Sequence, residues 1–202
     1  YHRPMKTLGD MVPYTGSVLA IDPAGRGKDE TGYAVCKMLN GYLYVPAAGG
    51  LQGGYAEATL VELAEMAKKH KVNAIITESN WGDGMFNELI KPVLNRIYPV
   101  TIEEVRHSTQ KELRIVDTLE PVMAGHRLVI DPDVVKDDFK TIQKYPHESQ
   151  LKYSLFYQMS RLTRDRGAIT HDDRLDALSI AVAYWTEQMA QDAEVAMAER
   201  KV

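Results

Sequence analysis

The sequence predicts an α/β fold in which a mixed central sheet is flanked by helices. Two observations support this. The first part of the chain contains three short apolar runs, and the second and third of them are joined by Asn40-Gly41, a strong signal for a tight hairpin. Later apolar runs alternate with segments that have helical spacing. Strands that come first in hairpins and then alternate with helices are typical of a mixed sheet covered by helices.

The opening strands are expected at residues 17–22, 31–39 and 42–47. The first is an apolar run that ends in the carboxylate of Asp22, and a turn containing proline and glycine follows it. Residues 49–54 are rich in glycine, so we expect a connector there rather than a strand.

The remainder of the chain alternates helices with strands. In residues 55–71, for example, Leu60, Leu63 and Ala67 share one helical face, which indicates an amphipathic helix. Residues 145–169 have no clear pattern, and a long helix is expected from His171 to about Gln191. The other expected elements are strand 72–78, helix 85–97, strand 100–105, helix 110–124, strand 128–130 and a partly helical segment 132–144.

The composition suits one large domain with a single core. The chain has 202 residues, a formal net charge of −4 and one cysteine, so no disulfide can form within it and a reducing, cytoplasmic setting is expected. No run of apolar residues is long enough to predict a membrane span. The negative charge argues mildly against a dedicated nucleic-acid binder, although residues 140–166 are locally basic.

Five carboxylates stand at the ends of predicted elements. Asp22 ends the first strand and Glu78 ends the fourth, while Asp172, Asp173 and Asp176 open the last helix. Functional groups in α/β sheets collect beyond the carboxyl ends of strands. If these two strands are parallel neighbours, Asp22 and Glu78 lie side by side. The helical acids, which share a face at spacings of three and four, could then approach from one flank.

Such a cluster requires neutralisation. Two like charges about 4 Å apart repel by roughly 4 kcal/mol at an effective dielectric near 20. Oxygen-only ligands favour Mg²⁺ or Mn²⁺. Two such ions can catalyse hydrolysis of a phosphodiester by activating a water and stabilising the leaving oxygen. Each acid alone has an ordinary interpretation, as a turn former, a surface residue or a helix cap. It is their combination that indicates a metal site.

Four basic residues are candidates for phosphate contact. Arg26 and Lys28 lie in the turn after Asp22, which favours contact with nucleic-acid phosphates. Lys111 and Arg114 are three residues apart at the start of a predicted helix. They could bind phosphate or balance the acidic site, and a solvated helix face is an equal alternative.

Three segments of this sequence resemble a known family. They are LAIDPAGRGKDETGYAV around Asp22, IITESNWGDGMF around Glu78 and THDDRLDALSIAVAYW around Asp173 and Asp176. These are similar to the three acidic motifs of the nuclease domain of tailed-phage large terminases, and residues 108–130 also resemble that family, closest to short-tailed podoviruses. The resemblance extends over about residues 16–188, and HDDRLDAL is its most specific motif.

The resemblance implies an RNase H-like fold related to RuvC resolvases. It also implies a two-metal endonuclease that cuts concatemeric phage DNA with two Mg²⁺ or Mn²⁺ ions. Carried over, Asp22, Glu78 and Asp173 would be the catalytic, metal-binding acids. Asp172 and Asp176 are adjacent candidates for metal ligands, and the sequence does not decide among the three.

The same resemblance implies an organisation and a set of partners. Residues 1–16 would end the linker from an ATPase domain of the same polypeptide, residues 17–191 would form the nuclease domain, and residues 192–202 a polar tail. Expected partners are double-stranded DNA, that ATPase domain, the portal and the small terminase subunit, in the cytoplasm of an infected host. Two alternatives stay open: a RuvC-like junction resolvase or recombinase, and a non-cleaving scaffold that binds DNA or portal.

Overall fold

The structure is a computed structural model that describes residues 11–24, 29–78 and 84–199. These residues form a six-stranded sheet and six α-helices, with a short 3-10 helix at Gln150–Tyr153. The strands are β1 (Gly16–Asp22), β2 (Thr31–Leu39), β3 (Tyr42–Leu51), β4 (Ala74–Glu78), β5 (Thr101–Val105) and β6 (Leu128–Ile130). The helices are α1 (Glu57–His70), α2 (Met85–Ile97), α3 (Lys111–Ala124), α4 (Pro132–Ile142), α5 (Leu155–Arg161) and α6 (Asp173–Glu199).

The sheet is mixed, as predicted. Its strand order is β5-β4-β1-β2-β3-β6. The first three strands form an antiparallel meander, whereas β4 is parallel to β1, β5 to β4 and β6 to β3. The register pairs Ile21 with Thr77, so the carboxylates that follow, Asp22 and Glu78, end neighbouring strands at the same edge of the sheet.

Both faces of the sheet are buried. Val18 and Ala20 of β1 pack in a cluster with residues of α3 and α6, while Leu19 and Ile21 pack in a second cluster with residues of α1 and α2. Successive side chains of a strand point to opposite faces. Burial of both faces therefore explains why β1 is a continuous apolar run rather than an alternating one.

The expectation of a glycine-rich connector after β3 is wrong for its first residues, since the strand continues to Leu51. Gly49 and Gly50 pair with Tyr33 and Gly32 of β2. A Cβ at Gly49 would lie 2.8 Å from the Tyr33 hydroxyl, and one at Gly50 would lie 2.1 Å from Oε2 of Glu30. Glycine occupies these strand positions because the side chains of Tyr33 in β2 and of Glu30 just before it leave little room for a Cβ.

The last helix is longer than its apolar pattern suggests. The apolar pattern predicts an end near Gln191, but α6 extends to Glu199. Alanine, glutamate and glutamine have high intrinsic helix propensity, so backbone hydrogen bonding can continue after the apolar stripe ends. No helix in the described parts of the chain is long and apolar enough to cross a membrane.

Candidate metal centre

Three carboxylates meet at one edge of the sheet. Asp22 ends β1, Glu78 ends the parallel neighbour β4, and Asp176 lies in the first turn of α6. One carboxylate oxygen from each lies within 4.8 Å of the other two. Three acids this close are stable only beside cations or when protonated, and an all-oxygen set suits a hard divalent cation.

Close contact with β2 places the first turn of α6. A Cβ at Gly32 would lie only 2.0 Å from the backbone carbonyl oxygen of Asp173. The start of α6 therefore rests on the bare backbone of β2 at this glycine. The backbone N–H of Asp176 donates to the carbonyl of Asp172 at 2.7 Å, which makes Asp172 the residue at which helical hydrogen bonding begins.

The first turn of α3 supplies two cations to these acids. The Nζ of Lys111 lies 2.9 Å from Oδ1 of Asp172, 2.9 Å from Oδ2 of Asp176 and 3.4 Å from Oδ2 of Asp22. Three residues later, a terminal nitrogen of Arg114 lies 2.8 Å from Oδ1 of Asp176 and 3.4 Å from Oε2 of Glu78. In this structure Lys111 and Arg114 thus balance the acidic cluster.

The acids share these cations unequally. Burial raises the pKa of Asp22 well above its usual value, and neighbouring carboxylates raise it further while Lys111 opposes them. Burial also acts on Asp176, but Lys111 and Arg114 outweigh it and hold the pKa of Asp176 below its usual value. Burial alone would lower the pKa of Lys111, yet the surrounding carboxylates raise it. Asp176 is therefore the acid that the cations neutralise best.

Two more aspartates border this group, Asp172 just before α6 and Asp173 at its first residue. Burial, opposed by Lys111, raises the pKa of Asp173 to about 7, and Asp173 is among the charges that raise the pKa of Asp22. The sequence favoured Asp173 as the third acid, whereas the oxygen that meets Asp22 and Glu78 here belongs to Asp176. The Asp176 side chain is fully buried, because its helical face is turned towards the sheet.

His107, which the sequence analysis does not single out, also lies at this site. Its Nδ1 lies 3.2 Å from Oε1 of Glu78. His107 follows the end of β5, the parallel neighbour of β4, so the rule that identified Asp22 and Glu78 could have identified it too. Arg26 and Lys28, predicted to contact phosphate, lie outside the described residues.

Comparison with known proteins identifies the family. Residues 21–128, more than half of the chain, match the family model described as "Terminase Bacteriophage T7, Ribonuclease H-like domain". The chain is also 46% identical, over 199 residues and 98% of its length, to the large terminase subunit of Enterobacteria phage T3. The chain belongs to the T7-type terminase family. It spans about a third (33%) of that relative's length.

Solved structures share the fold of this terminase domain. The nuclease domain of the human cytomegalovirus terminase, soaked with Mn and bound to an inhibitor, matches with a TM-score of 0.57 at 15% identity, covering 84% of this chain and 83% of that one. The nuclease domain of the large terminase subunit of bacterial virus Sf6 matches with a TM-score of 0.56 at 13% identity, covering 84% and 88%. At these identities the likeness concerns the fold alone, and it confirms the RNase H-like architecture.

Proposed function

We propose that this domain is the metal-dependent DNA endonuclease of a viral DNA-packaging terminase and cuts concatemeric duplex DNA. The observation that carries the proposal is the group of Asp22, Glu78 and Asp176, whose oxygens lie within 4.8 Å of one another at the carboxyl edge of the sheet. The donor set, which contains only oxygen, fits Mg²⁺ or Mn²⁺. Related nuclease domains from human cytomegalovirus and virus Sf6 were solved with Mn.

The residues of the site divide into those that would bind metal and those that balance the charge of the acids. Asp22, Glu78 and one aspartate from the start of α6 would hold two Mg²⁺ or Mn²⁺ ions. When bound, such a pair supplies the Lewis acidity that activates a water and stabilises the leaving oxygen of a phosphodiester. The closeness of the Asp176 carboxylate to Asp22 and Glu78 supports Asp176 as the third ligand, and Asp172, just before α6, and Asp173, its first residue, are the other candidates.

Lys111 places a positive charge among the carboxylates that would bind metal. Its side chain is 36% exposed, whereas that of Arg114 is only 10% exposed. Lys111 would therefore be the cation able to turn towards solvent if a divalent ion were bound, and Arg114 would stay beside Asp176. A lysine released at the edge of the site becomes available to a phosphate of the DNA backbone.

The wider assignment follows from the family. Because the phage T3 relative is a large terminase subunit about three times as long as this chain, we propose an ATPase domain in the same polypeptide. Double-stranded DNA, the portal and the small terminase subunit are the proposed partners, in the cytoplasm of the infected host. Membership of the terminase family argues against a RuvC-like resolvase or recombinase and against a non-cleaving scaffold.

A plasmid-cleavage assay with Mn²⁺ tests the proposal. We expect this chain to nick and linearise supercoiled DNA, and Asp22→Asn and Asp176→Asn each to slow cutting at least about 100-fold, since each would remove a metal ligand. Asp173→Asn in the same assay compares the two α6 candidates. Asp133→Asn, on the exposed surface of α4, is the matched control and should cut normally.

Three results would contradict the assignment. Undiminished cutting by both Asp22→Asn and Asp176→Asn would remove the proposed site. Selective cutting of four-way junctions, with linear duplex spared, would favour a resolvase. Failure of the chain to bind Mn²⁺ in calorimetry at millimolar concentration would favour a non-cleaving scaffold.

A further inference from the structure

A buried ion network surrounds Arg174, the residue between two of the α6 aspartates. The Arg174 side chain is 0% exposed. Its Nε and one terminal nitrogen donate to the two oxygens of Glu30 at 2.8 and 3.0 Å. The other terminal nitrogen donates to Oδ1 of Asp138 at 2.7 Å and to the Thr141 hydroxyl at 3.0 Å. The planar fork of the guanidinium is thus held by two carboxylates in two directions.

Those two carboxylates are themselves fixed by other segments. Glu30 also accepts a hydrogen bond from the Tyr145 hydroxyl. Asp138 accepts from the Ser154 hydroxyl at 2.6 Å and from the backbone N–H of Leu155 at 2.9 Å. The network therefore joins the segment before β2, α4, the segment after α4 and the start of α5 to the first turn of α6.

The same turn has two further attachments. The backbone N–H of Leu175 donates to Oε1 of Gln158 at 3.1 Å, and the carbonyl of Asp173 lies against Gly32. A carboxylate tip about 6 Å from a helix axis moves about 1 Å when the helix rotates by about 10°. Catalytic groups tolerate displacements of only about 0.5 Å. The rotation of α6 therefore decides whether its acids reach the metal centre.

We propose that Arg174, clamped by Glu30 and Asp138, is a positioning residue that sets the rotation and depth of the first turn of α6. It thereby places the carboxylates of Asp173 and Asp176 against Asp22. This inference rests on the proposed metal-dependent function. A purely stabilising role fits a buried ion network poorly, because apolar side chains of similar volume often stabilise a core equally well.

Two substitutions test the positioning role. Arg174→Lys keeps the charge but loses the fork, so any change in metal binding does not come from altered net charge. Asp138→Asn keeps an oxygen that can accept from Arg174 and from the Leu155 N–H, so the fold is retained while the clamp is weakened. For both variants we expect Mn²⁺ binding in calorimetry to weaken about tenfold, and kcat to fall about 10- to 100-fold with an unchanged KM for plasmid DNA.

The control is Ile90→Val, a buried substitution on α2 in the core of the opposite face. It should lower the thermal midpoint without altering Mn²⁺ affinity or kcat. Wild-type Mn²⁺ affinity and kcat in folded Asp138→Asn would overturn the inference, whether or not Arg174→Lys folds. The inference would also fall if Ile90→Val, at a comparable loss of thermal stability, lost as much Mn²⁺ affinity.

The two proposals fail in different ways. If the unmodified chain neither binds Mn²⁺ nor cuts plasmid, the nuclease proposal fails. A different outcome overturns only the positioning role of Arg174. In that case the unmodified chain binds Mn²⁺ and cuts plasmid, Asp22→Asn does not cut, and Asp138→Asn has the Mn²⁺ affinity and kcat of the unmodified chain.

Discussion

At the scale of single residues, Lys111 shows how the negative charge of this site is balanced. Its ammonium group contacts Asp22, Asp172 and Asp176, so one monovalent cation takes the place that we assign to divalent ones. The sequence identified Lys111 as a residue that could balance the acids or bind phosphate. The two roles are compatible. A bound metal would balance the acids in place of Lys111, and the ammonium group would then be free to contact phosphate.

Removing this ammonium should make the site a better metal binder and a less stable apoprotein. In Lys111→Ala, Mn²⁺ no longer competes with a bound cation, so we expect affinity in calorimetry to rise about tenfold, or about 1.4 kcal/mol. In EDTA the same variant should unfold at lower urea concentration, since three carboxylates lose a partner.

The control for this prediction is Lys136→Ala. Lys136 pairs only with Asp133 among the described residues, and its side chain is 74% exposed, so both measurements should match those of the unmodified chain. Mn²⁺ affinity that is unchanged or weaker in Lys111→Ala would show that Lys111 does not compete with the metal.

At the scale of elements, the decisive contact is that of α6 with the sheet. Helix α6 packs against β1 and β2, and its N-terminus, where the helix dipole favours negative charge, carries the acids. The first turn of α3 carries the cations. Two helix starts therefore face each other across the carboxyl edge of the sheet, and the distance between α6 and β2 determines how the two sets of charges meet.

Gly32→Ala should disturb this contact. The added methyl would lie 2.0 Å from the Asp173 carbonyl oxygen, a backbone atom that cannot rotate away, so either β2 or α6 must shift. We expect urea denaturation to show a loss of about 1–3 kcal/mol, the usual cost of overpacking, and calorimetry to show weaker Mn²⁺ binding.

Gly125→Ala is the comparison. Gly125 has an ordinary φ of −77°, and its nearest neighbour would be 3.2 Å from the added methyl, so small adjustments suffice. If Gly32→Ala were as stable as Gly125→Ala and bound Mn²⁺ normally, the close contact between β2 and α6 would not position the acids.

At the scale of the whole molecule, the acids couple stability to pH. The pKa of Asp173 is raised to about 7 in the folded chain from 3.8. Between about pH 4 and 7 the unfolded chain has therefore released a proton that the folded chain still holds. Unfolding free energy measured in EDTA should fall as pH rises through this window, by up to about 1.4 kcal/mol per pH unit for this one group.

Two changes should reduce this dependence. Asp173→Asn eliminates one titrating group and should make the decrease shallower, while Asp22, whose pKa is also raised, still contributes. Saturating Mn²⁺ binds the ionised acids and should stabilise the fold near pH 7, by about 2.7 kcal/mol at a hundredfold excess over Kd. Urea titrations at several pH values measure both effects. An equal slope in Asp173→Asn would assign the pH dependence to other groups.

Local patterns in the sequence determined most of the architecture. The hairpin at Asn40-Gly41, the apolar runs ending at Asp22 and Glu78, and the helical spacings predicted the meander, the later β/α alternation and the shared edge. Each of these patterns involves residues that are close together in the sequence. The acidic motifs also carried the resemblance to terminase nucleases, because a motif and its spacing are themselves properties of sequence.

Only the tertiary structure decided which α6 acid meets Asp22 and Glu78. The helical period places Asp173 and Asp176 on similar faces, and it does not give the angle at which α6 meets the sheet. That angle depends on Gly32 and on the clamp of Arg174 by Glu30 and Asp138, residues far apart in the chain. Contacts between distant segments set the rotation of a helix, and the residue pattern within one segment does not encode those contacts.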